Sequence, residues 1–236
     1  MDWRDEGIIL TVRRHGESAA IVELLTAARG RHAGVVPGGG SRRMAPLLQP
    51  GGQVQATWRA RLDEHIGTLG IEPLRSRAAI LADRRALLAL NAVCGLLSFA
   101  LPEREPHPAV YAATVALLDA LAAGADWHAA YLAWELLLLE DLGYGLDLSA
   151  CALTGVTADL AWVSPASGRA VSRAAGQPWE GRLLAFPDTA APDPARLNAG
   201  LATTGYFLER RLAHALGDRP LPAARHRLIA ALTRGA

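Results

Sequence analysis

Arginines in pairs are the residues of this chain whose type and spacing suggest chemistry. Arg13 and Arg14 are adjacent, as are Arg42 and Arg43, while Arg29 and Arg31, and Arg59 and Arg61, stand two positions apart. The chain has no Lys, so all 24 basic side chains are guanidinium forks. Such a fork can hold a phosphate through paired hydrogen bonds and can stack on a base. A solvated surface explains any single pair equally well. The set, gathered within the first 61 residues, favours a groove or rim that tracks a phosphate backbone. Binding of that kind leans on charge, so it is salt-sensitive and weakly sequence-specific.

Other chemistries find little support. Gly38-Gly39-Gly40-Ser41 resembles part of a phosphate-binding loop, but that loop needs a Lys before the Ser or Thr and a helix behind it. A flexible turn is the better reading. The seven histidines do not cluster and never fall at metal-ligand spacing. His214 and His226 fit solvated or capping roles. No nucleophile elbow is present, and Glu140-Asp141 fits a helix surface. The expectation is a protein that is not an enzyme, with no catalytic residue, no cofactor and no small-molecule substrate.

The elements that must position the arginines begin with short strands. Gly7–Arg13, Ala19–Thr26 and Arg31–Val36 are rich in β-branched and apolar residues and are separated by turns at His15-Gly16-Glu17 and Ala28-Arg29-Gly30. After Pro50-Gly51-Gly52, Val54, Ala56, Trp58 and Ala60 fall on one face, and Gln53, Gln55, Thr57, Arg59 and Arg61 on the other. His65–Glu72 is a fifth strand. Five short strands with one interruption after the third suit the OB-fold, a partly open Greek-key barrel whose loops and exposed face bind oligonucleotides. Trp58 is expected inside the barrel, leaving Trp3 as the freer ring for stacking.

From about Arg77 the period lengthens. Leu87, Leu90, Cys94, Leu97 and Leu101 form one helical stripe, and Val110, Thr114, Leu117 and Leu121 another, with prolines between them. Asp126 is placed to cap a third helix running from Trp127 to about Leu142. Residues 147–178 are rich in turns. Asp193-Pro194 then opens a further helix, and Pro222–Thr233 closes the chain. The fold class is α+β in two parts, with a boundary near residue 78: a barrel domain, 1–78, and a helical domain, 79–236.

Charge is uneven along this plan. Residues 1–78 hold 11 Arg against 8 acids, residues 79–150 hold 3 against 9, and residues 151–236 hold 10 against 6, summing to +1. The acidic middle suits core and partner surface better than a DNA face. Cys94 and Cys151 lie on different segments, a usage suited to a reducing compartment. The start, Met1-Asp2-Trp3-Arg4-Asp5-Glu6, lacks the apolar run of a signal peptide. The longest apolar stretch, Ala86–Pro102, falls short of the roughly 20 apolar residues of a membrane span. A cytoplasmic protein without membrane contact is expected.

The order of parts resembles the RecO family of recombination mediators. The passages that carry the likeness are Gly7-Ile8-Ile9-Leu10, Ser41-Arg42-Arg43 and Leu47-Leu48-Gln49-Pro50-Gly51. Leu136-Leu137 to Leu142-Gly143-Tyr144, Cys151-Ala152-Leu153-Thr154-Gly155, and Val163-Ser164-Pro165 to Gly168 continue it over essentially the whole chain. The resemblance implies binding of single- and double-stranded DNA, annealing of complementary strands, and partnership with RecR in loading a RecA-type recombinase. It also implies recognition of the acidic, hydrophobic tail of single-stranded-DNA-binding protein, and a cytoplasmic, nucleoid-associated location.

Many members carry a zinc module in the inserted segment, built from two C-x-x-C pairs. Here those pairs read Cys151-Ala152-Leu153-Thr154 and Ser172-Arg173-Ala174-Ala175, so three of four ligand positions are lost. A structural zinc takes four Cys or His ligands. The insertion, at about 147–178, is therefore expected as a degenerate zinc-ribbon-like module without metal, held by Trp162, Val163 and Val171. Arg169 and Arg173 in it join the candidate DNA contacts. The main rival reading is an OB-fold adaptor that binds protein and has no direct DNA role.

Overall fold

The structure is a computed structural model that describes residues 1–62, 65–190 and 192–234. Five strands open it: β1 (Asp2–His15), β2 (Ala19–Thr26), β3 (Gly30–Val36), β4 (Gln53–Arg59) and β5 (Gly67–Arg75). They close into a barrel in the order β1-β2-β3-β5-β4. The first strand starts five residues earlier than its apolar run, because the charged stretch Asp2–Glu6 pairs with β4. β1 serves two neighbours: its first half pairs with β4 and its second half, from Gly7, with β2. The register shifts between Ile9 and Thr11. A bulge of this kind bends a strand so that it can pass from one neighbour to the next.

Closure depends on the parallel pairing of β3 with β5 at Gly34 and Gly67. A Cβ on Gly67 would stand 2.4 Å from the Trp58 ring, so only glycine admits the indole there. Trp58 is buried, and with Ile9, Val22, Leu24, Val54 and Leu69 it fills the interior. Each such aliphatic side chain contributes about 1.5–3 kcal/mol by leaving water.

The barrel forms one compact unit with α1 (Arg84–Ala100) and α2 (Pro108–Ala122), together with residues 222–225. Asp83 caps α1 by accepting from Ala86 N at 2.7 Å. The expected stripes face inward: Leu90, Cys94, Leu97 and Leu101 are buried, as are Val110, Thr114, Leu117 and Leu121. Arg77 ties the helices to the barrel. Its side chain is 2% exposed, donates to Gly51 O at 2.7 Å and Gln53 Oε1 at 3.2 Å, and pairs with Asp119 of α2 at 2.7 Å.

The second unit comprises residues 126–221 and 226–236. It contains α3 (His128–Asp141), a three-stranded sheet, a short helical turn α4 (Arg173–Gly176), α5 (Pro194–Phe207) and most of α6 (Ala223–Thr233). The last two residues of the expected helical region, Gly235 and Ala236, lie outside the described residues. The sheet has β6 (Leu160–Val163) between β7 (Ala170–Ser172) and β8 (Leu184–Ala185). Val163 and Val171 are buried in it, and Trp162 is half-buried. Asp193 caps α5 as expected, accepting from Arg196 N at 2.9 Å. At α3 the cap is displaced by one residue. Trp127 takes the cap position, while Asp126 Oδ1 accepts from His128 N at 3.2 Å and meets His128 Nδ1 at 2.7 Å.

Candidate nucleic-acid interface

The strand directions sort the candidate arginines of the barrel into two groups. Arg13 and Arg14 close β1, opposite Ile21 and Ala20 of β2. The Gly38–Gly40 turn folds onto the same end, where Gly40 N donates to Ser18 O at 2.9 Å. Arg42 and Arg43 follow directly. The other end is built from the start of β1, the β2–β3 turn and the segment after β4. Asp2 pairs with Arg59 there, and Ala28 N donates to Asp5 Oδ2 at 2.8 Å. Arg29, Arg59 and Arg61 belong to that end. Along β1 the two ends are separated by up to roughly 35 Å of extended strand.

All seven of these arginines are exposed, and among the described residues none makes an ion pair or side-chain hydrogen bond. In an OB-fold the β1–β2 and β4–β5 loops flank the β2–β3 face used for oligonucleotides. The two groups stand at or next to those loops. Arg59 and Arg61 do not share a strand face, however. β4 stops at Arg59, and Arg61 lies in the following turn.

Arg31 departs from the set. Its guanidinium pairs with Glu23 of β2, and its Nε donates to Leu101 O at 2.9 Å, leaving the side chain 16% exposed. Glu23 also accepts from Ser98 of α1 at 2.7 Å. The segment after α1 presses closely here: a Cβ on Gly30 would meet Glu105 O at 1.9 Å, and Arg104 N donates to Arg31 O at 2.8 Å. Part of the β2–β3 face is therefore covered by the protein itself. Spacing alone could not separate Arg31 from Arg29, because its partners lie up to 70 residues away.

Arg104 is a cation the sequence reading missed. It is exposed, and its Nη2 lies 3.5 Å from His65 O, near the β4–β5 loop. Burial first, with the charge of Arg104 adding to it and a backbone hydrogen bond with Arg29 opposing it, lowers the pKa of His32 below the ordinary histidine value. Trp3 is less free than its position suggests. It stacks on Trp58 at 5.9 Å and meets His32 edge-on at 5.1 Å.

The second unit presents its arginines differently. Arg169 pairs with Asp147 and Arg173 with Asp159, each at 3.2 Å. His214 and His226 make exposed contacts with Asp218 and Glu209. Cys151 still meets Ser172 and Thr154, two of the lost ligand positions. The Ser172 hydroxyl donates to Cys151 Sγ at 3.4 Å. That bond and a further one from Thr154 hold the thiol down to about 6. One thiol, two hydroxyls and the methyl of Ala175 do not fit a structural zinc. Cys94, by contrast, is pushed up to about 12 by burial, helped by nearby Glu23.

Among the described residues no group of three or more His, Cys, Asp or Glu is placed to hold a metal ion, and no helix is long and apolar enough to cross a membrane. Comparison with known proteins agrees over both parts of the chain. Residues 1–77 match the family Recombination protein O N terminal, and residues 81–220 match Recombination protein O C terminal. DNA repair protein RecO of Ruegeria sp. (strain TM1040) is 60% identical over 240 residues, covering 99% of each chain. The RecO proteins of Jannaschia sp. (strain CCS1) and Cereibacter sphaeroides (strain ATCC 17029 / ATH 2.4.9) are 58% and 56% identical. They cover 99% of this chain and 97% and 99% of their own.

Proposed function

Since the chain belongs to the RecO family of DNA repair proteins, we propose that it is a non-enzymatic recombination mediator working in the cytoplasm at the nucleoid. It binds single- and double-stranded DNA, anneals complementary strands and, with RecR, helps load a RecA-type recombinase on strands coated by single-stranded-DNA-binding protein. The tail of that coating protein is a second partner.

The observation that carries this reading is the two groups of arginines, unpaired among the described residues, at the two ends of the closed barrel. Arg13, Arg14, Arg42 and Arg43 contact phosphates at one end, and Arg29, Arg59 and Arg61 at the other. Arg104 joins the second group. Neutralising phosphates on two strands lowers the repulsion that opposes annealing, and released counterions supply much of the free energy. Arg169 and Arg173 add weaker contacts, since each already has a carboxylate partner.

The test is annealing of two complementary labelled oligonucleotides coated with single-stranded-DNA-binding protein, with and without RecR. Acceleration that fades as salt rises is expected. No acceleration, together with no binding of bare single strand at low salt, would move the function to a protein adaptor built on the same barrel.

A further inference from the structure

Trp179 is the tryptophan that stands out to solvent, 52% exposed. It sits on a tight helical turn, Gln177–Arg182, whose second residue is Pro178, so the backbone beneath the ring is stiffened. The Arg182 guanidinium carbon lies 5.9 Å from the ring centroid, within reach of a cation–π attraction. Among the described residues Arg182 makes no ion pair, so its charge is available to a ligand.

We propose that Trp179 and Arg182 form a stacking site for an unpaired base of single-stranded DNA, an inference that rests on the DNA-binding reading above. The surroundings favour a base over a protein side chain. The neighbours of Trp179 on the turn, Gln177, Glu180, Gly181 and Arg182, are exposed and polar or small, with Pro178 the one apolar residue beside it. Hot spots in protein interfaces are enclosed by packed neighbours that exclude water. A base needs only one free aromatic face and a cation for the adjoining phosphate. Glu180 is the one anion on the turn, and Arg182 is the cation placed beside the ring. A base within a duplex keeps both faces covered by its neighbours, so the site discriminates single strand from duplex.

The experiment measures tryptophan quenching and anisotropy with a thymine-rich oligonucleotide and with a duplex of equal length, on the full chain. Trp179→Ala is expected to weaken single-strand binding by about tenfold, within the range for one stacked base, and to leave duplex binding unchanged. Arg182→Ala is expected to fall between it and the wild type. Trp179→Phe is expected to keep affinity within about twofold, since a phenyl ring still stacks, while losing most of the quench. A wild type that binds the oligonucleotide while Trp179→Ala binds it equally well overturns this site alone, leaving Trp179 to a protein partner. A wild type that binds no strand at low salt overturns the DNA reading and the site with it.

Discussion

The barrel and the three-stranded module are both rich in arginine, yet they use it in opposite ways. At the barrel's ends Arg13, Arg14, Arg29, Arg42, Arg43, Arg59 and Arg61 stand exposed and without carboxylate partners among the described residues. In the module, Arg169 and Arg173 each face an aspartate at 3.2 Å, and Arg182 is the exception, with no carboxylate partner among the described residues. Between these extremes, Arg31 and Arg77 are absorbed by the fold, one against Glu23 and Leu101 O, the other against Asp119 and Gly51 O. Local charge density therefore says little about where an anion can bind. What decides is whether the fold has already supplied each cation with a partner.

The largest effect that would sharpen this division belongs to Arg77. Replacing it with Ala removes three hydrogen-bond partners at once and leaves Asp119 paired with Arg75 alone. It is expected to destabilise the protein by about 3 kcal/mol, the low end for breaking a buried pair, because Asp119 keeps some access to water. Denaturant unfolding measures it, and single-strand affinity under folding conditions should be unchanged. The same tie sets a pH edge. Burial pushes the Asp119 carboxyl upward, but the bonds from Arg75 and Arg77 outweigh it and hold the pKa below the ordinary carboxylate value. The contribution is complete above about pH 4 and is lost as pH falls through the depressed value. Wild type should therefore lose stability more steeply than Arg77→Ala on acidification below that point.

Arg31→Ala comes next, a loss of stability with little change in the salt dependence of DNA binding, since its guanidinium faces Glu23 rather than solvent. The smallest effect is expected from Arg169→Ala with Arg173→Ala. Exposed ion pairs are worth about 0–1 kcal/mol, so stability should barely move. DNA affinity should change by less than about threefold, as measured by anisotropy, because each arginine already faces a carboxylate. A tenfold loss would show that the module's pairs open readily to phosphate and would erase the contrast with the barrel.

Much of the fold was legible because short-range patterns carry it. The alternation Val54, Ala56, Trp58 marks β4 and points Trp58 inward, and the leucine stripes mark α1 and α2. Asp193-Pro194 announces α5. The first half of β1 was not legible, since Asp2–Glu6 forms a strand only because β4 lies beside it. The interface was legible in composition but not in detail. Whether an arginine is free depends on carboxylates and carbonyls brought from distant segments, such as Asp119 to Arg77 and Leu101 O to Arg31. Trp3 reads as a free ring until the barrel closes and stacks it on Trp58. Trp179, in a turn with no periodic signal, becomes conspicuous only through its exposure.

The most direct test of the central claim is the salt dependence of single-strand affinity for wild type and for a variant with Arg13, Arg14, Arg42 and Arg43 all changed to Ala. The plot of log affinity against log salt should lose roughly 0.7 of slope for each phosphate contact removed, with affinity at low salt falling well over tenfold. An unchanged slope and affinity in a folded variant would contradict the assignment of DNA binding to the free arginines of that barrel end.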